Sequence, residues 1–498
     1  MSGLFQKISA FFMAILASIF SLFGIEQPNR SGVPDDPPQI REELEVRGDW
    51  LLHGIPAFDA GYYSSALYST GTGLFDDTAE REDDDFEDGD LSALADSVSG
   101  RMQIVRKTNL ADAEAYGEKL RSAGYTQTYS HQIENNYYYA YETTDSSVYY
   151  YFNGNSGETR VIDDRGSTAS LQTFSYSTDE IAYVDEEPLQ PTVWQFSYPY
   201  RDVEHAGKKN YGSNGMLYAV TLSDGRLIVI DGGNRWQASE QNVTEFFRFL
   251  HTVSGTPEDA PLHIALWYCT HSHGDHNAFF YKLLRRYSNR IALERAMFNF
   301  PAEGTMTKNA YATRIRSILA TRYPALQYLK AHSGAAFRLQ DAFCEVLYAP
   351  EDLADPETAA VPVDNLNEAC CVLKLTLGQT AFLFPGDALD LTQNTLLKNF
   401  SAETLRADVL QASHHLLANL PALYAAVAPT YVMCPASKLR AETTPYEAYL
   451  NLLQTVPAEN FFFAGDGVAY GFAPQAGGSI ALLQTPVDCG AYDGTTLH

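Results

Sequence analysis

The chain carries two different patterns of hydrophobic positions. In its N-terminal part, tyrosine-rich runs with β propensity follow a predicted helix, whereas in its C-terminal part apolar strands alternate with helical segments. We therefore predict a small α+β module at residues 49–165 and a larger α/β domain at residues 192–488. Polar stretches at residues 26–48 and 166–191 are typical of linkers.

The module contains one helix with clear end signals. Leu110–Ala123 is predicted to be helical because Asn109 can cap it, Asp112 stands three residues further on, and Gly124 can end it. Three predicted strands follow: Asn136–Tyr141, Ser147–Phe152 and Thr159–Ile162. Their tyrosines favour a half-exposed sheet surface, with a carbohydrate-binding or peptide-binding face as the alternative.

The N-terminus holds an uncharged apolar segment. Ile8–Ile25 is eighteen residues long, which is just enough to span the hydrocarbon core of a membrane. No small-residue cleavage site follows it directly, so residues 1–25 predict a signal anchor, with a cleaved signal peptide as the alternative. Either interpretation predicts a bacterial-type protein that is membrane-anchored with an extracytoplasmic domain, or secreted.

The net charge limits the partners that the chain can attract. With 62 acidic and 34 basic residues the formal charge is −28, which disfavours non-specific binding to nucleic acid or anionic lipid. Residues 76–90 hold ten of the acids and one arginine and predict a solvated acidic loop. A basic helix face could offset the charge locally and leaves nucleic acid open as a disfavoured partner: Lys282, Arg285, Arg286 and Arg290.

The six cysteines all lie in the C-terminal half: Cys269, Cys344, Cys370, Cys371, Cys434 and Cys489. Five of them stand in apolar, strand-like contexts. They predict small buried side chains of the core rather than a disulfide framework or a zinc site.

Chemically active side chains follow several predicted strands. Asp231 follows the hairpin that ends at Ile230, and the run from His271 to His276 follows Ile264–Thr270. Asp387 follows Thr380–Phe384, and His414 and His415 follow Val409–Ser413. A helix is predicted to begin at Ala278, directly after the histidine run. Strands that each end in an acid or a histidine predict one sheet edge that collects ligands from distant parts of the sequence.

The run His271-Ser-His273-Gly-Asp275-His276 predicts a metal site. His271 and His273 can close on one ion, and Asp275 and His276 then turn toward a second ion. A divalent ion held by such groups lowers the pKa of a bound water from 15.7 to roughly 7. Imidazole and carboxylate ligands suit one or two Zn²⁺ ions, with Mn²⁺ or Fe as alternatives.

These residues resemble the motifs of the metallo-β-lactamase superfamily. Asp231-Gly-Gly is similar to its first motif, the histidine run to its second, Gly386-Asp387 to the aspartate that bridges two metals, and His414 to the late histidine ligand. The order of Asn367-Glu-Ala-Cys-Cys-Val-Leu, Pro-Gly-Asp387 and Ala-Ser-His-His415 is most similar to the metal-binding domain of ComEC-type competence proteins. The resemblance implies a four-layer αββα fold and phosphodiester or nucleic-acid hydrolysis, and it does not extend to residues 1–190.

With this resemblance we assign roles to the candidate residues. His271 and His273 hold the first ion; Asp275, His276 and His414 hold the second; Asp387 bridges the two. Asp275 is also the candidate catalytic group, which orients the attacking water or relays its proton. Asp231 fixes a ligand or loop from outside the ligand set, or is only an acid of a β-turn. His415 contacts the substrate or packs beside the ligand histidine.

Two features depart from the family pattern. Only His332 lies where a third histidine for the first ion would stand, and its turn predicts a surface residue; Asn367 occupies the place of an asparagine in the ComEC-type branch. In addition, Leu416 and Leu417 follow the paired histidines where that branch has Gly-Ser. The first ion is therefore predicted to be the more weakly held, and the substrate-facing loop differs from the family.

Three functions remain as hypotheses. The leading one is a metal-dependent hydrolase that acts with a metal-activated water on phosphodiester or related ester bonds. Hydrolysis of a lactone, thioester or β-lactam is the enzymatic alternative. The non-enzymatic alternative is an envelope-anchored binding protein whose site has degenerated.

Overall fold

The computed structural model describes residues 48–72, 99–177, 187–196, 203–205, 208–210, 215–301, 310–362, 365–443, 446–465 and 467–487. The predicted anchor (1–25), nearly all of the first linker (26–48) and the acidic loop (76–90) lie outside these residues. No helix within the described ranges is both long and apolar enough to cross a membrane. The described residues all belong to the compact unit Glu45–His498, and the predicted boundary between module and larger domain stays a prediction.

An antiparallel sheet of seven described strands forms the N-terminal part. Its strands are β1 (Tyr62–Tyr63), β2 (Tyr68–Thr72), β3 (Ser99–Arg106), β4 (Thr126–Ile133), β5 (Asn136–Glu142), β6 (Ser147–Asn153) and β7 (Glu158–Asp163), in the order β1-β3-β7-β6-β5-β4 with β2 beside β3. Helix α1 (Leu110–Ser122) covers one face. Asn109 and Asp112 form the expected reciprocal cap, and Gly124 follows in a left-handed conformation, so the predicted helix is confirmed.

Five of the seven tyrosines of β5 and β6 are buried, whereas Tyr137 and Tyr139 are half-buried as expected. Tyr141 and Tyr150 face α1, whereas Tyr138, Tyr149 and Tyr151 belong to the main core on the opposite face. Because side chains alternate across a strand, this division means that both faces of the sheet are covered. The expectation of a half-exposed surface was wrong for the buried tyrosines, since the larger part of the protein packs on the face that α1 leaves open.

The remaining described strands form two larger sheets and one hairpin. They are β8 (Thr192–Gln195), β9 (Val203–His205), β10 (Lys208–Asn210), β11 (Leu217–Thr221), β12 (Leu227–Asp231), β13 (Leu262–Tyr268), β14 (Ile291–Leu293), β15 (Arg295–Met297), β16 (Gln327–Leu329), β17 (Ala336–Leu339), β18 (Ala342–Tyr348), β19 (Val372–Leu377), β20 (Thr380–Phe384), β21 (Val409–Gln411), β22 (Tyr431–Cys434), β23 (Phe461–Phe463), β24 (Val468–Pro474) and β25 (Ile480–Pro486). The first sheet has the order β16-β15-β13-β12-β11-β8-β24-β25 with β14 also beside β13, and the second runs from β17 to β23 in sequence order. Strands β9 and β10 pair only with each other among the described strands.

The two larger sheets pack face to face. Tyr218 of β11 meets Phe384 of β20 with ring centroids 5.2 Å apart. Along β12, Ile228 and Ile230 enter this shared core, while Leu227 and Val229 point to the outer face. Burial on both faces explains why β12 is continuously apolar in sequence.

Helices cover the outer faces. The described α-helices other than α1 are α2 (Leu171–Phe174), α3 (Glu240–Ser254), α4 (Gly274–Tyr287), α5 (Ala310–Arg322), α6 (Asp390–Asn399), α7 (Ala402–Leu405), α8 (Pro421–Val427), α9 (Lys438–Thr443) and α10 (Glu447–Leu452). Helices α3, α4 and α5 pack on the first sheet, and α6, α8 and α10 contribute leucines to the core around the second. The predicted mixed α/β class is confirmed.

Parallel pairing brings several strand ends to one edge. Strand β12 runs parallel to β13 in the first sheet, and β20 runs parallel to β21 in the second. The carboxyl ends of parallel neighbours lie at the same edge of a sheet. The side chains that follow these four strands therefore meet, as the sequence predicts.

Candidate metal centre

The histidine run lies between β13 and α4. The helix begins at Gly274, four residues earlier than expected, so Asp275 and His276 belong to its first turn. His273 stands at the cap position with an extended backbone and no side-chain cap bond, which leaves its ring directed to the site. An acid in the first helical turn is also favoured by the helix dipole.

His271, His273 and Asp387 form the first group of donor atoms. The His271 Nε2 lies 2.9 Å from the His273 Nδ1 and 3.9 Å from the Asp387 Oδ2. The three donor atoms lie within 4.8 Å of one another, which is close enough to share one ion. His271 and Asp387 are buried, whereas His273 is half-buried.

Asp275, His276 and His415 form a second group on the other side of Asp387. The His415 Nε2 lies 3.2 Å from the Asp275 Oδ2 and 3.7 Å from the Asp387 Oδ1. The His276 Nε2 lies 3.1 Å from the same Asp387 Oδ1. Asp387 thus turns one carboxylate oxygen to each group.

His414 lies beside the first group, which differs from its predicted place with Asp275 and His276. Its Nε2 is 3.8 Å from the Asp387 Oδ2 and 3.2 Å from the Asn367 Nδ2. The reason is local, because His414, His415 and Leu416 have φ values of 48°, 53° and 65°. This left-handed turn sends the two neighbouring imidazoles to opposite sides of Asp387, and His415 takes the place expected for His414.

Asp231 contacts the second group directly and the first group through Thr270. Its Oδ2 is 2.7 Å from the His276 Nδ1, and its carboxylate accepts hydrogen bonds from the Thr270 N–H and hydroxyl at 2.7 and 2.9 Å. The Thr270 Oγ1 lies in turn 3.1 Å from the His271 Nδ1. Asp231 thus contacts a candidate ligand without belonging to either donor group, and its supporting role stays a prediction.

His332 is buried and belongs to neither donor group. Its Nδ1 is 3.0 Å from the Glu351 Oε2, its Nε2 is 3.5 Å from the Asp164 Oδ1, and its ring stacks on Tyr149. The prediction of a surface residue was wrong, because the N-terminal sheet covers this turn. The ion pairs also explain why the ring does not serve as a third ligand.

Burial and nearby charges shift the pKa values of the imidazoles in two opposite directions. Burial lowers the pKa of the His271 ring well below its usual value and lowers the pKa of His273 and His414 as well. For His276, burial acts against the charge, but Asp387 and Asp231 outweigh it and raise its pKa well above the usual value. His271, His273 and His414 are therefore neutral near pH 7, as nitrogen ligands must be, whereas His276 would have to give up its proton when an ion binds.

The carboxylates make the centre attractive to a cation. Burial opposes the ionisation of Asp387, yet His276 and His415 outweigh it and hold the pKa of this carboxyl well below its usual value. Burial likewise opposes ionisation of Asp275, and its contact with His415 together with the charge of His276 keeps its pKa low. Two ionised carboxylates in this cleft need compensating positive charge, which His276 and His415 supply in the protein alone and which a bound cation could supply in their place.

Three buried polar atoms point to the same conclusion. Among the described residues, the His276 Nε2, the Asp387 Oδ1 and the Asn367 Oδ1 have no hydrogen-bond partner. The first two are 3.1 Å apart, but their orientation does not make a hydrogen bond. Buried polar atoms without partners are rare in folded proteins, and a divalent ion between the two groups would satisfy both the nitrogen and the oxygen. The donor set therefore fits a metal centre.

Cys370 is a site residue that the sequence interpretation missed. Its Sγ lies 3.4 Å from the His271 Nδ1 and 3.1 Å from the Asp387 backbone nitrogen. All five described cysteines are free and buried, as predicted, and Cys489 lies outside the described residues. An apolar strand context signals burial alone, so nothing in the sequence separated Cys370 from the other four.

The basic residues of α4, and Arg290 in the turn after it, are engaged in local contacts. Arg286 pairs with Glu240, Arg290 donates to the Glu258 carbonyl and covers the Phe247 ring, and Arg285 lies over Tyr281. These contacts within the helix layer are typical of a solvated surface. They do not strengthen the case for a nucleic-acid partner.

Comparisons with known proteins give remote structural similarity. No family model matches the sequence, and no curated protein matches it. The chain is similar to CmlA, a diiron β-hydroxylase from Streptomyces venezuelae, with 11% identity, a TM-score of 0.28 and coverage of 56% of this chain and 45% of that chain. It is also similar to the flavodiiron protein from Giardia intestinalis, with 11% identity, a TM-score of 0.24 and coverage of 51% and 55%.

A third similar structure is a B3 metallo-β-lactamase with an active-site glutamic acid. The identity is 14% and the TM-score 0.24, with 52% of this chain and 92% of that chain covered. This chain spans about half the length of the hydroxylase and the flavodiiron protein that it matches. Scores of this size define neither a family nor an activity.

Proposed function

We propose that this protein is a metal-dependent hydrolase with the four-layer αββα fold of the metallo-β-lactamase superfamily. The single observation that carries the proposal is the pair of donor groups that share Asp387. One group holds His271 and His273, and the other holds Asp275, His276 and His415. Two helix-covered sheets packed face to face, with the donors at one edge, agree with this fold.

The donor geometry gives a ligand set for two ions. His271 and His273 would hold the first ion, and Asp275, His276 and His415 the second, with Asp387 available to both. His414 and Asn367 lie beside the His271–His273 group, whose third candidate donor is Asp387 rather than a third histidine. Nitrogen and carboxylate donors favour Zn²⁺, with Mn²⁺ or Fe as alternatives.

The chemistry divides between the ions and the side chains. Bound divalent ions supply a Lewis acid that polarises the attacked ester and makes water nucleophilic at neutral pH. Asp231 holds the His276 ring by its Nδ1, so that Nε2 faces the centre. The Asp275 side chain is 29% exposed, and the His414 side chain is 26% exposed. These two can meet a substrate: Asp275 would orient the attacking water, and the neutral His414 could accept the proton that this water loses and then pass it to the leaving group.

Phosphodiesters or related esters are the proposed substrate class. The ComEC-like order of Asn367, Asp387 and the paired histidines supports this class, whereas the net charge of −28 favours small substrates over long nucleic acids. A lactone, thioester or β-lactam is the alternative substrate. Attachment to a membrane through residues 1–25, with the site outside the cytoplasm, remains part of the proposal.

Hydrolysis of a chromogenic bis-phosphate ester tests the proposal. Asp387→Asn removes the carboxylate directed to both groups, and Asp275→Asn removes one from the second group. Each should lower kcat/KM by about 100-fold or more, because even supporting residues of metal sites cost about 10–100-fold. Asp145→Asn, in an exposed turn of the N-terminal sheet, is the matched control and should leave the rate unchanged.

Metal analysis separates the enzyme from a degenerate binding protein. Purified without chelators, the wild-type protein should contain between one and two equivalents of a divalent transition metal. A content below about half an equivalent would exclude the enzyme, and activity on a lactone or thioester but not on the phosphate ester would favour the alternative substrate class.

A further inference from the structure

The sulfur of Cys370 lies where three segments of the chain meet. It accepts a hydrogen bond from the Asp387 N–H at 3.1 Å and lies 3.4 Å from the His271 Nδ1. The next residue fastens this segment to the histidine run, because the Cys371 N–H donates to the Thr270 carbonyl at 2.8 Å. One buried atom therefore touches both the residue between the donor groups and the first residue of the histidine run.

The turn before Asp387 is shaped to reach this sulfur. Gly386 has a φ of 60°, and a Cβ atom there would lie 3.0 Å from the Cys370 Sγ and 2.9 Å from the Thr270 side chain. A larger residue would push the turn away from both neighbours. The close approach is therefore a property of Gly386 and Cys370 together.

We propose that Cys370 is a positioning residue of the metal centre, which fixes the backbone of Asp387 and restrains the His271 ring through one sulfur. The inference rests on the proposed metal site. If His271 offers its Nε2 to an ion, its Nδ1 carries the proton. The Nδ1–H can then donate to the Thr270 Oγ1 and the Cys370 Sγ, which lie 3.1 Å and 3.4 Å from the Nδ1. The two acceptors hold the ring in one orientation, as supporting partners of metal-ligating histidines do.

The contacts of Cys370 differ from those of its buried neighbours. The Cys371 and Cys434 sulfurs each have a backbone carbonyl 3.9 Å away, and neither touches a candidate ligand. The Cys371 sulfur also meets a backbone N–H, that of Asn299, so the feature that distinguishes Cys370 is that its partners are the candidate ligands His271 and Asp387. Cys371 is therefore a matched control, since it is adjacent in sequence and equally buried.

Three variants of the full chain test the role: Cys370→Ala, Cys370→Ser and Cys371→Ala. Their affinity for Zn²⁺ is measured by competition with a chromogenic chelator, and kcat and KM are measured on the bis-phosphate ester. Cys370→Ala should weaken Zn²⁺ binding by about 10–100-fold, the usual effect of losing a supporting partner. Cys370→Ser keeps a polar acceptor and should recover most of the affinity, whereas Cys371→Ala should bind Zn²⁺ as the wild type does.

The outcomes distinguish this inference from the proposed function. If the wild type binds Zn²⁺ and hydrolyses the ester while Cys370→Ala binds Zn²⁺ equally tightly, the positioning role is refuted and the hydrolase stands. Equal losses in Cys370→Ala and Cys371→Ala, without recovery by serine, would also refute it, because they would indicate a general packing effect. A wild type that binds no metal would refute the proposed function itself.

Discussion

At the scale of single residues, backbone strain determines how the two neighbouring histidines are used. His414, His415 and Leu416 are consecutive residues with positive φ, and none is glycine. Each such residue costs on the order of 1–3 kcal/mol and persists only where the surrounding structure enforces it. The strain is stored at the candidate site, where it separates adjacent imidazoles that a regular strand or helix would orient differently.

Replacement of each histidine should reveal this separation. His415→Ala removes a donor from the second group and should weaken binding of the second ion by more than about 100-fold, since loss of a supporting residue alone costs about 10–100-fold. His414→Ala should leave two-ion binding largely intact and lower kcat. Metal stoichiometry by titration, measured beside kcat, checks both results. A loss of the second ion in His414→Ala but not in His415→Ala would restore the assignment made from the sequence.

The sequence predicts the local part of the site better than the part made by tertiary contacts. His271, His273, Asp275 and His276 lie within six residues, so their proximity needs no knowledge of the fold. The choice between His414 and His415 depends on φ values that no spacing rule contains. Cys370 and His332 were misjudged because burial and neighbours, rather than residue type, define their roles.

At the scale of elements, strands and helices with strong end signals were predicted most accurately. The capped helix α1 and the strands β5, β6 and β7 agree with the sequence within one or two residues at each end. The early start of α4 was missed because its first turn is made of Gly274 and polar residues that serve the site. Hydrophobic periodicity cannot detect a helical turn whose side chains face ligands.

Helix α8 provides a test of backbone conformation at an element boundary. It ends at Val427, and the next residue, Ala428, is exposed and has a φ of 46°. The Ala428 N–H donates to the Tyr424 carbonyl. Glycine is the residue that adopts this conformation without strain, so Ala428→Gly should raise the free energy of unfolding by about 1 kcal/mol.

Urea denaturation of Ala428→Gly and of a matched variant measures this effect. Ala425→Gly places the same substitution at an exposed position inside the helix and should lower the free energy of unfolding by about 0.5–1 kcal/mol. Changes of the same sign in both variants would contradict the proposed strain at Ala428.

At the scale of the whole molecule, a buried group of charges joins the N-terminal sheet to the second large sheet. His332 lies between Asp164, which follows β7, and Glu351, which follows β18. Burial opposes the charge on His332, but Glu351 and Asp164 outweigh it and raise its pKa to about 9. Burial likewise opposes ionisation of Asp164, yet His332 and Lys330 lower its pKa to about 2. The junction is therefore held by ion pairs as well as by the buried tyrosines.

The stability of the protein should fall at alkaline pH because of His332. Its folded pKa of about 9 is above the usual 6.5, so its contribution is complete below pH 6.5 and is lost as the pH rises through about 9. A difference of this size corresponds to about 3 kcal/mol. Asp164 affects stability at acidic pH, because its contribution to the free energy of unfolding is lost as the pH falls from 3.8 through about 2.

Chemical denaturation between pH 6 and pH 10, with chelator present throughout, measures the alkaline effect. The difference in unfolding free energy between the wild type and His332→Gln should be largest near pH 6 and should shrink toward pH 10. A difference that does not change with pH would show that His332 is not charged in the folded protein.

The candidate ligands come from both large sheets, which has a consequence for how the protein is made. The histidine run follows β13 of the first sheet, whereas Asp387 and His415 follow β20 and β21 of the second. During synthesis, the run from His271 to His276 leaves the ribosome long before His415 does, and chains begin to fold from the N-terminal side. His271 and His273 therefore lack Asp387 and His415 until the second sheet has been translated and has packed on the first. If the proposed site binds a metal, uptake would therefore be a late step in the maturation of this chain. A protein stopped before His415 would carry the histidine run without a complete set of candidate ligands.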